Sequence, residues 1–274
     1  MESPTEILPG VLFYSYLSKE KKEKLCIWNH HTVILQVSGS LTLETVGQSI
    51  SIEGAEILLI GKNQLGTLIK TPGSGGNYET IVISLQEEAL RKIALEEKYQ
   101  ADRKYTGLPN MLIPLNEFLQ GYFQSVIPYA RKSGTEMTDE LGILKMKEAV
   151  KLLLHAQPEL RNLLFDFSQP CKIDLEKFML NNFRFNIPVR QFAQLTGRSL
   201  AGFKRDFKKI FRLPPRQWLL DKRLAEAKYF IGTKKMKPSD IYLDLGFQSL
   251  PHFSRTFKMK FGVPPNRLVS DMES

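Results

Sequence analysis

The sequence is poor in the residues that build redox, metal and membrane chemistry. Cysteine occurs at only two of 274 positions, Cys26 and Cys171. Two thiols so far apart, outside any motif, make neither a disulfide framework nor the outline of a zinc site, and they suit a reducing, cytoplasmic setting. Histidine is nearly as scarce, with four residues. His30, His31 and His155 fall in the N-terminal part of the chain. The adjacent pair would point to opposite faces of an extended strand, whereas a multi-histidine metal centre needs convergent ligands. No run approaches the roughly 18 uninterrupted apolar residues of a membrane span, and MESPTEILPG lacks the basic-then-apolar pattern of a secretory leader. Neither a G-x-S-x-G elbow nor a P-loop occurs. The stretch GSGG at Gly73–Gly76 lacks the lysine and following helix of a phosphate cradle and reads as a loop. The sequence therefore predicts no metal, no cofactor, no catalytic residue and no enzyme.

Positive charge is abundant, and its location is informative. The chain carries 38 Lys/Arg against 29 Asp/Glu, a net charge of +9. From Lys172 to Ser274 there are 21 basic and 9 acidic residues, a net of +12; the other 171 residues carry 17 and 20, a net of −3. A basic segment attached to a near-neutral one points to a polyanionic partner for the basic segment alone. A solvated basic surface would give the same count.

The chain divides by pattern into an α+β multidomain protein. Residues 1–110 read as β-rich. In VILQVSGSLTLETVGQSISIEGAEILLI, short β-branched runs alternate apolar with polar residues and break at Gly39, Gly47 and Gly54, which predicts a small antiparallel sandwich or barrel. TPGSGGN at Thr71–Asn77 reads as a loop between strands, and YETIVISL as a further strand. Residues 111–170 read as a helical connector. QEEALRKIALEEK already begins the helical pattern after Leu85, a second helix is expected from about Asn116 to Ala130, and a third from Thr138 or Asp139 through His155. That third helix places Leu141, Leu144, Ala149, Leu152 and Leu153 mainly on one face, a stripe for intramolecular packing or for a homodimer seam. Residues 171–274 read as all-α.

An internal repeat at an offset of 50 dominates this last part. SLAGFKRDFKKIFRLPPR from Ser199 and SLPHFSRTFKMKFGVPPN from Ser249 share nine identities in eighteen ungapped positions. Ser199 and Ser249 stand where a hydroxyl caps a helix N-terminus. Phe203, Phe207 and Phe211, like Phe253, Phe257 and Phe261, recur every fourth residue and mark a buried face. The opposite faces carry Ala201, Lys204, Arg205 and Lys208 in one copy and Pro251, Ser254, Arg255 and Lys258 in the other. A shorter helix introduced by Pro188 or Pro238 precedes each copy, across turns at Thr196-Gly197-Arg198 and Gly246-Phe247-Gln248. Short helix, glycine turn and amphipathic helix make a helix-turn-helix, whose second helix enters the DNA major groove. The linking segment PPRQWLLDKRLAEAKYFIG, at about 15 helical residues and roughly 1.5 Å each, spans about 22 Å and could hold two such helices near one DNA turn apart.

Residues Ile173 to Leu268 resemble the DNA-binding domain of AraC/XylS-type bacterial transcription regulators. The resemblance is carried above all by DLGFQSLPHFSRTFKMKFGVPP and by the connecting segment DKRLAEAKYFI. Two positions depart from it: Arg212 stands where the first unit usually has glycine, and Tyr242 where the second usually has alanine. The resemblance implies that Leu200, Ala201, Lys204, Arg205 and Lys208 of the first helix, and Leu250, Pro251, His252, Ser254 and Arg255 of the second, approach the bases of double-stranded DNA. Lys and Arg can donate to guanine, while Ala201 and Pro251 offer apolar contact to a thymine methyl. Lys208, Lys209, Lys258 and Lys260 suit phosphates. The family also implies a cupin-like N-terminal domain that senses a small-molecule effector or mediates homodimerisation, and activation through RNA polymerase, with repression equally compatible. The alternative is a DNA-binding protein without an effector, controlled by a protein partner or by abundance.

Overall fold

Alternating apolar residues and turn glycines produce nine strands before residue 86 in the computed structural model of the chain, which describes residues 5–8, 12–18, 22–131, 139–167 and 173–270. Thr138, Pro170 and Cys171, invoked above as a helix cap, a boundary marker and one of the two thiols, lie outside the described residues, as does most of the MESPTEILPG stretch. The chain forms two compact units, Met1–Ser168 and Gln169–Ser274.

In the first unit the strands are β1 (Thr5–Leu8), β2 (Leu12–Ser18), β3 (Lys22–Trp28), β4 (His31–Ser38), β5 (Ser40–Thr45), β6 (Gln48–Ile52), β7 (Ile57–Ile60), β8 (Gln64–Thr71) and β9 (Asn77–Leu85). A tenth, β10 (Asn110–Ile113), follows helix α1 (Glu87–Glu97). They make two antiparallel sheets, one in the order β1-β2-β9-β4-β7-β10 and one in the order β3-β8-β5-β6. The glycine-rich TPGSGGN stretch carries the chain from β8 of the smaller sheet to β9 of the larger, a loop between strands as expected. β10 pairs with β7, Met111 opposite Leu59 and Ile113 opposite Ile57.

The larger sheet is buried on both faces. Ile34, Leu58, Ile60 and Tyr78 pack with Leu41, Leu43 and Ile52 of the smaller sheet. Val33, Leu35, Leu59 and Ile83 point the other way, into helices α1, α2 (Glu117–Arg131), α3 (Asp139–Ala156) and α4 (Leu160–Leu164). A strand covered on both sides must be apolar at consecutive positions. That explains the unbroken VIL and ILLI runs, which a sandwich with one wet face would not require. The Asn116 side chain accepts from the Leu119 amide at 2.9 Å and so starts α2.

The inward stripe of α3 differs from the one expected. Met146, Ala149, Val150 and Leu153 are buried, whereas Leu144 is 61% exposed. Leucines occur all round this helix, so composition does not fix its rotation. The flanking lysines add a second constraint: Lys147 pairs with Glu96 and Glu97, both at 2.7 Å, and Lys151 with Glu97 at 2.6 Å, joining α3 to α1. Such exposed pairs contribute little to stability, about 0–1 kcal/mol each. The apolar face holds the layer.

The second unit comprises α5 (Leu175–Asn182), α6 (Val189–Leu195), α7 (Leu200–Phe211), α8 (Pro215–Gly232), α9 (Pro238–Ile241), α10 (Leu250–Phe261) and α11 (Pro265–Ser270). Asp174 caps α5 by accepting from the Lys177 amide at 3.0 Å. Pro238 occupies the first turn of α9, while Pro188 stands one position earlier, at the N-cap of α6. Pro214 and Pro215 end one helix and begin the next, since proline suits N1 and cannot continue a preceding helix.

Candidate nucleic-acid interface

The phenylalanine repeat builds α7 and α10 in the same way. Phe203, Phe207, Phe253 and Phe257 are completely buried. Phe207 and Phe211 close on Trp218 of α8, with ring centroids 5.5 and 4.4 Å away. In the second copy Phe253 meets Phe247 at 5.0 Å and Phe257 meets Phe261 at 4.7 Å, against Leu224, Ala227 and Ile231 of α8. Each aromatic row fixes the rotation of its helix, and thereby decides what the opposite face presents.

That face is open. Leu200, Ala201, Lys204, Arg205 and Lys208 are all exposed on α7, as are Pro251, His252, Arg255 and Lys258 on α10. Leu250 and Ser254 are half-buried. Both helices begin with the expected serine caps: the Ser199 hydroxyl accepts from the Gly202 amide at 3.1 Å and that of Ser249 from the His252 amide at 3.4 Å. Among the described residues, Lys204, Lys208, Arg255 and Lys258 have no ion-pair partner. Arg205 lies 3.2 Å from Asp206, in a solvent-exposed pair too weak to hold it from another anion. Lys260 is different. Its ammonium lies 2.5 Å from Asp221 on α8, a surface pair that links α10 to α8 and is weak enough to be exchanged for a phosphate.

Two further arginines near these helices are structural. Arg198, in the first turn, donates to the carbonyls of Ile173 and Thr196 and pairs with Asp206. Arg223, on α8, donates to the carbonyls of Phe183 at 2.8 Å, Phe185 at 2.9 Å and Gly246 at 3.1 Å. It thus ties the approach to α6 and the turn before α10 to one helix. Burial lowers its pKa to about 10, which leaves it charged at neutral pH. Gly246 has φ +78°, and a Cβ there would collide with the Arg184 carbonyl and the Arg223 guanidinium, so the turn demands glycine. At the end of α7, Arg212 holds a left-handed φ of +59° where the second copy has Gly262 at +80°. The departure from glycine is accommodated by strain, not by a different turn.

Sequence reasoning did not single out Arg190 or Arg216. Both line a cleft of about 560 Å³ together with Leu200, Lys204 and Lys208. Neither belongs to the outer face of α7, and only the folded chain brings them alongside it. Among the described residues no cluster of three or more His, Cys, Asp or Glu could hold a metal ion, and no helix is long and apolar enough to cross a membrane.

Paired helix-turn-helix units on a shared helix, joined to a β-rich unit, define a DNA-binding transcription regulator of two-domain type. The comparisons give its kind. The helix-turn-helix domain family matches residues 192–270 and the ExsA N-terminal regulatory domain family matches residues 31–163. The chain belongs to the AraC family of transcription regulators. It is 30% identical over 93 residues to the virulence regulon transcriptional activator VirF of Yersinia enterocolitica, covering 34% of each chain. It is 22% identical over 258 residues to the HTH-type transcriptional regulator ExsA of Pseudomonas aeruginosa, covering 88% of this chain and 90% of that one. The match thus spans about a third of VirF but nearly all of ExsA. Among solved structures, apo ToxT of Vibrio cholerae strain SCE256 superposes with a TM-score of 0.47 at 10% identity, over 96% of this chain and 98% of that one.

Proposed function

We propose that this protein is a sequence-specific regulator of transcription that reads double-stranded DNA with α7 and α10 inserted in successive major-groove segments. The observation that carries the proposal is the pair of serine-capped helices, each locked by buried phenylalanines and each presenting an exposed basic outer face. Lys204 and Arg205 donate to guanine edges, Arg255 contributes the corresponding contact from the second helix, and Lys208 and Lys258 bind phosphates. Ala201, Leu200, Pro251 and Leu250 supply apolar contact, and His252 and Ser254 complete the second reading surface. α8 has 18 residues, hence a length of about 27 Å, which suits helices set about one DNA turn apart.

The N-terminal unit controls this activity. Its match to a regulatory-domain family supports that role, and a small-molecule effector or a protein partner is its input. The protein acts in the cytoplasm of a bacterium, without catalytic activity, and activates by touching RNA polymerase, in keeping with the activator named VirF. Homodimerisation through the first unit would set two copies on neighbouring sites.

Genome-wide mapping of bound DNA in the source organism tests the proposal. Sites clustered upstream of genes and sharing a motif support it; occupancy that is uniform along the chromosome removes it. Thermal shift against a metabolite panel separates effector from partner control, since a ligand that binds the native state raises its melting temperature. Sedimentation of the full chain at micromolar concentration decides the dimer.

A further inference from the structure

The repeat supplies an internal comparison that the reading helices alone do not. The cleft beside α7 is floored by Pro188, Leu200, Pro214 and Pro215 and rimmed by Arg190, Lys204, Lys208 and Arg216. The offset of 50 places Pro238, Leu250, Pro264 and Pro265 at the matching floor positions of the second helix-turn-helix unit, and the remaining lining residue, Val189, has Ser239 as its counterpart. The rim does not repeat. Its counterparts are Asp240, Ser254, Lys258 and Asn266, so four positive charges in the first unit become a net of zero in the second. All four rim cations of the first unit are exposed, and among the described residues none has an ion-pair partner. Asp240, by contrast, accepts from the Ser239 hydroxyl at 2.8 Å and is exposed.

Four cations around an apolar floor are complementary to a sugar–phosphate strand, whose deoxyribose presents apolar faces and whose phosphates present charge. The cleft is also continuous with the outer face of α7, because Lys204 and Lys208 belong to both. We infer that the first helix-turn-helix unit grips one DNA backbone strand in this cleft, with Arg190 and Arg216 as phosphate-binding residues, and that the second helix-turn-helix unit lacks this grip. The inference rests on the DNA-reading function proposed above. It makes the two units unequal in kind: the first supplies most of the electrostatic hold, and the second depends on the contacts of α10 itself.

Salt dependence reads this directly, because each phosphate neutralised contributes about −0.9 to the slope of log K against log salt concentration. Full-length parent, the double variant Arg190→Gln/Arg216→Gln and the reciprocal graft Asp240→Arg/Asn266→Arg are titrated with a mixed-sequence duplex over a series of KCl concentrations. Loss of both arginines should make the slope shallower by about 1.8 and leave the circular dichroism spectrum unchanged. The graft should make it steeper. An Arg190→Gln/Arg216→Gln variant that binds with the parental slope overturns the grip, and a graft that binds with the parental slope overturns charge as the source of the inequality. A parent that fails to bind any duplex at low salt removes the DNA reading itself, a result distinct from either.

Discussion

Replacing Arg223 by methionine should loosen both helix-turn-helix units from α8 at once. The guanidinium makes three hydrogen bonds, to the carbonyls of Phe183, Phe185 and Gly246, and methionine keeps the volume of the stem while making none. Hydrogen bonds from a charged donor contribute about 1.5–3 kcal/mol each. The three share one half-buried side chain, and water can reach some of the vacated carbonyls, so the expected loss is below their sum, about 3–5 kcal/mol. For a unit of this size that is a large fraction of the usual 5–15 kcal/mol, and it corresponds to a fall in melting temperature of about 12–40 °C. Trp218 sits in the core of this unit and Trp28 in the other, so urea unfolding followed by fluorescence in a Trp28→Phe background reports on the right domain. Arg223→Lys keeps the charge, but a single ammonium cannot span three carbonyls, and it should recover only about a third of the loss. A methionine variant within about 0.5 kcal/mol of the parent would refute the staple, since that is the range of an ordinary surface substitution.

Two further outcomes follow from local geometry. Burial, with a smaller contribution from Lys62, lowers the pKa of His31 from 6.5 to about 3, and the ring Nδ1 accepts from the Lys62 amide. A folded-state pKa below the unfolded one means that the unfolded chain takes up the proton first. The first unit therefore keeps its full stability above pH 6.5 and loses about 2 kcal/mol on descending to pH 5; His31→Asn, which retains an acceptor, should flatten that dependence in urea titrations, and an equally steep variant would exclude His31 as the source. The two serine caps should differ: Ser199→Ala is expected to lower stability by about 1 kcal/mol, whereas Ser249→Ala, losing a bond of 3.4 Å, should lower it by less than half of that, and equal losses in denaturant titrations would count against the distances.

The C-terminal unit was readable because its information is local and stated twice. Phe203, Phe207 and Phe211 needed only their own spacing to mark a buried face, and the second copy confirmed the register. Ser199 and Ser249 likewise act within three residues of themselves. Arg223 could not be found that way: its acceptors lie 40, 38 and 23 residues away, and nothing in DKRLAEA distinguishes it from the surface lysines beside it. Arg190 escaped for a related reason, since it belongs to the short helix before α7 and only folding sets it beside Lys204. In the N-terminal unit the strands were legible from period-two alternation, yet β10 was not. Its four residues NMLI, one polar and three apolar in a row, offer no alternation of their own, and only pairing with β7 marks them as a strand. The rotation of α3 failed on excess: with leucine at 141, 144, 152, 153 and 154, several faces look buried, and the partners of Met146 and Val150 decide among them.

The central claim, that α7 and α10 each read their own stretch of one DNA site, is tested most directly by sequencing the duplexes that the full-length parent, Arg205→Ala and Arg255→Ala each select from a random pool. The parent should enrich two short motifs centred about 10–10.5 base pairs apart. Arg205→Ala should relax preference at one base pair of one motif, with a loss of about 1–3 kcal/mol on the parental site, and Arg255→Ala should do so in the other motif. Identical motifs from all three proteins, or enrichment of a single motif that both variants damage alike, would contradict the claim.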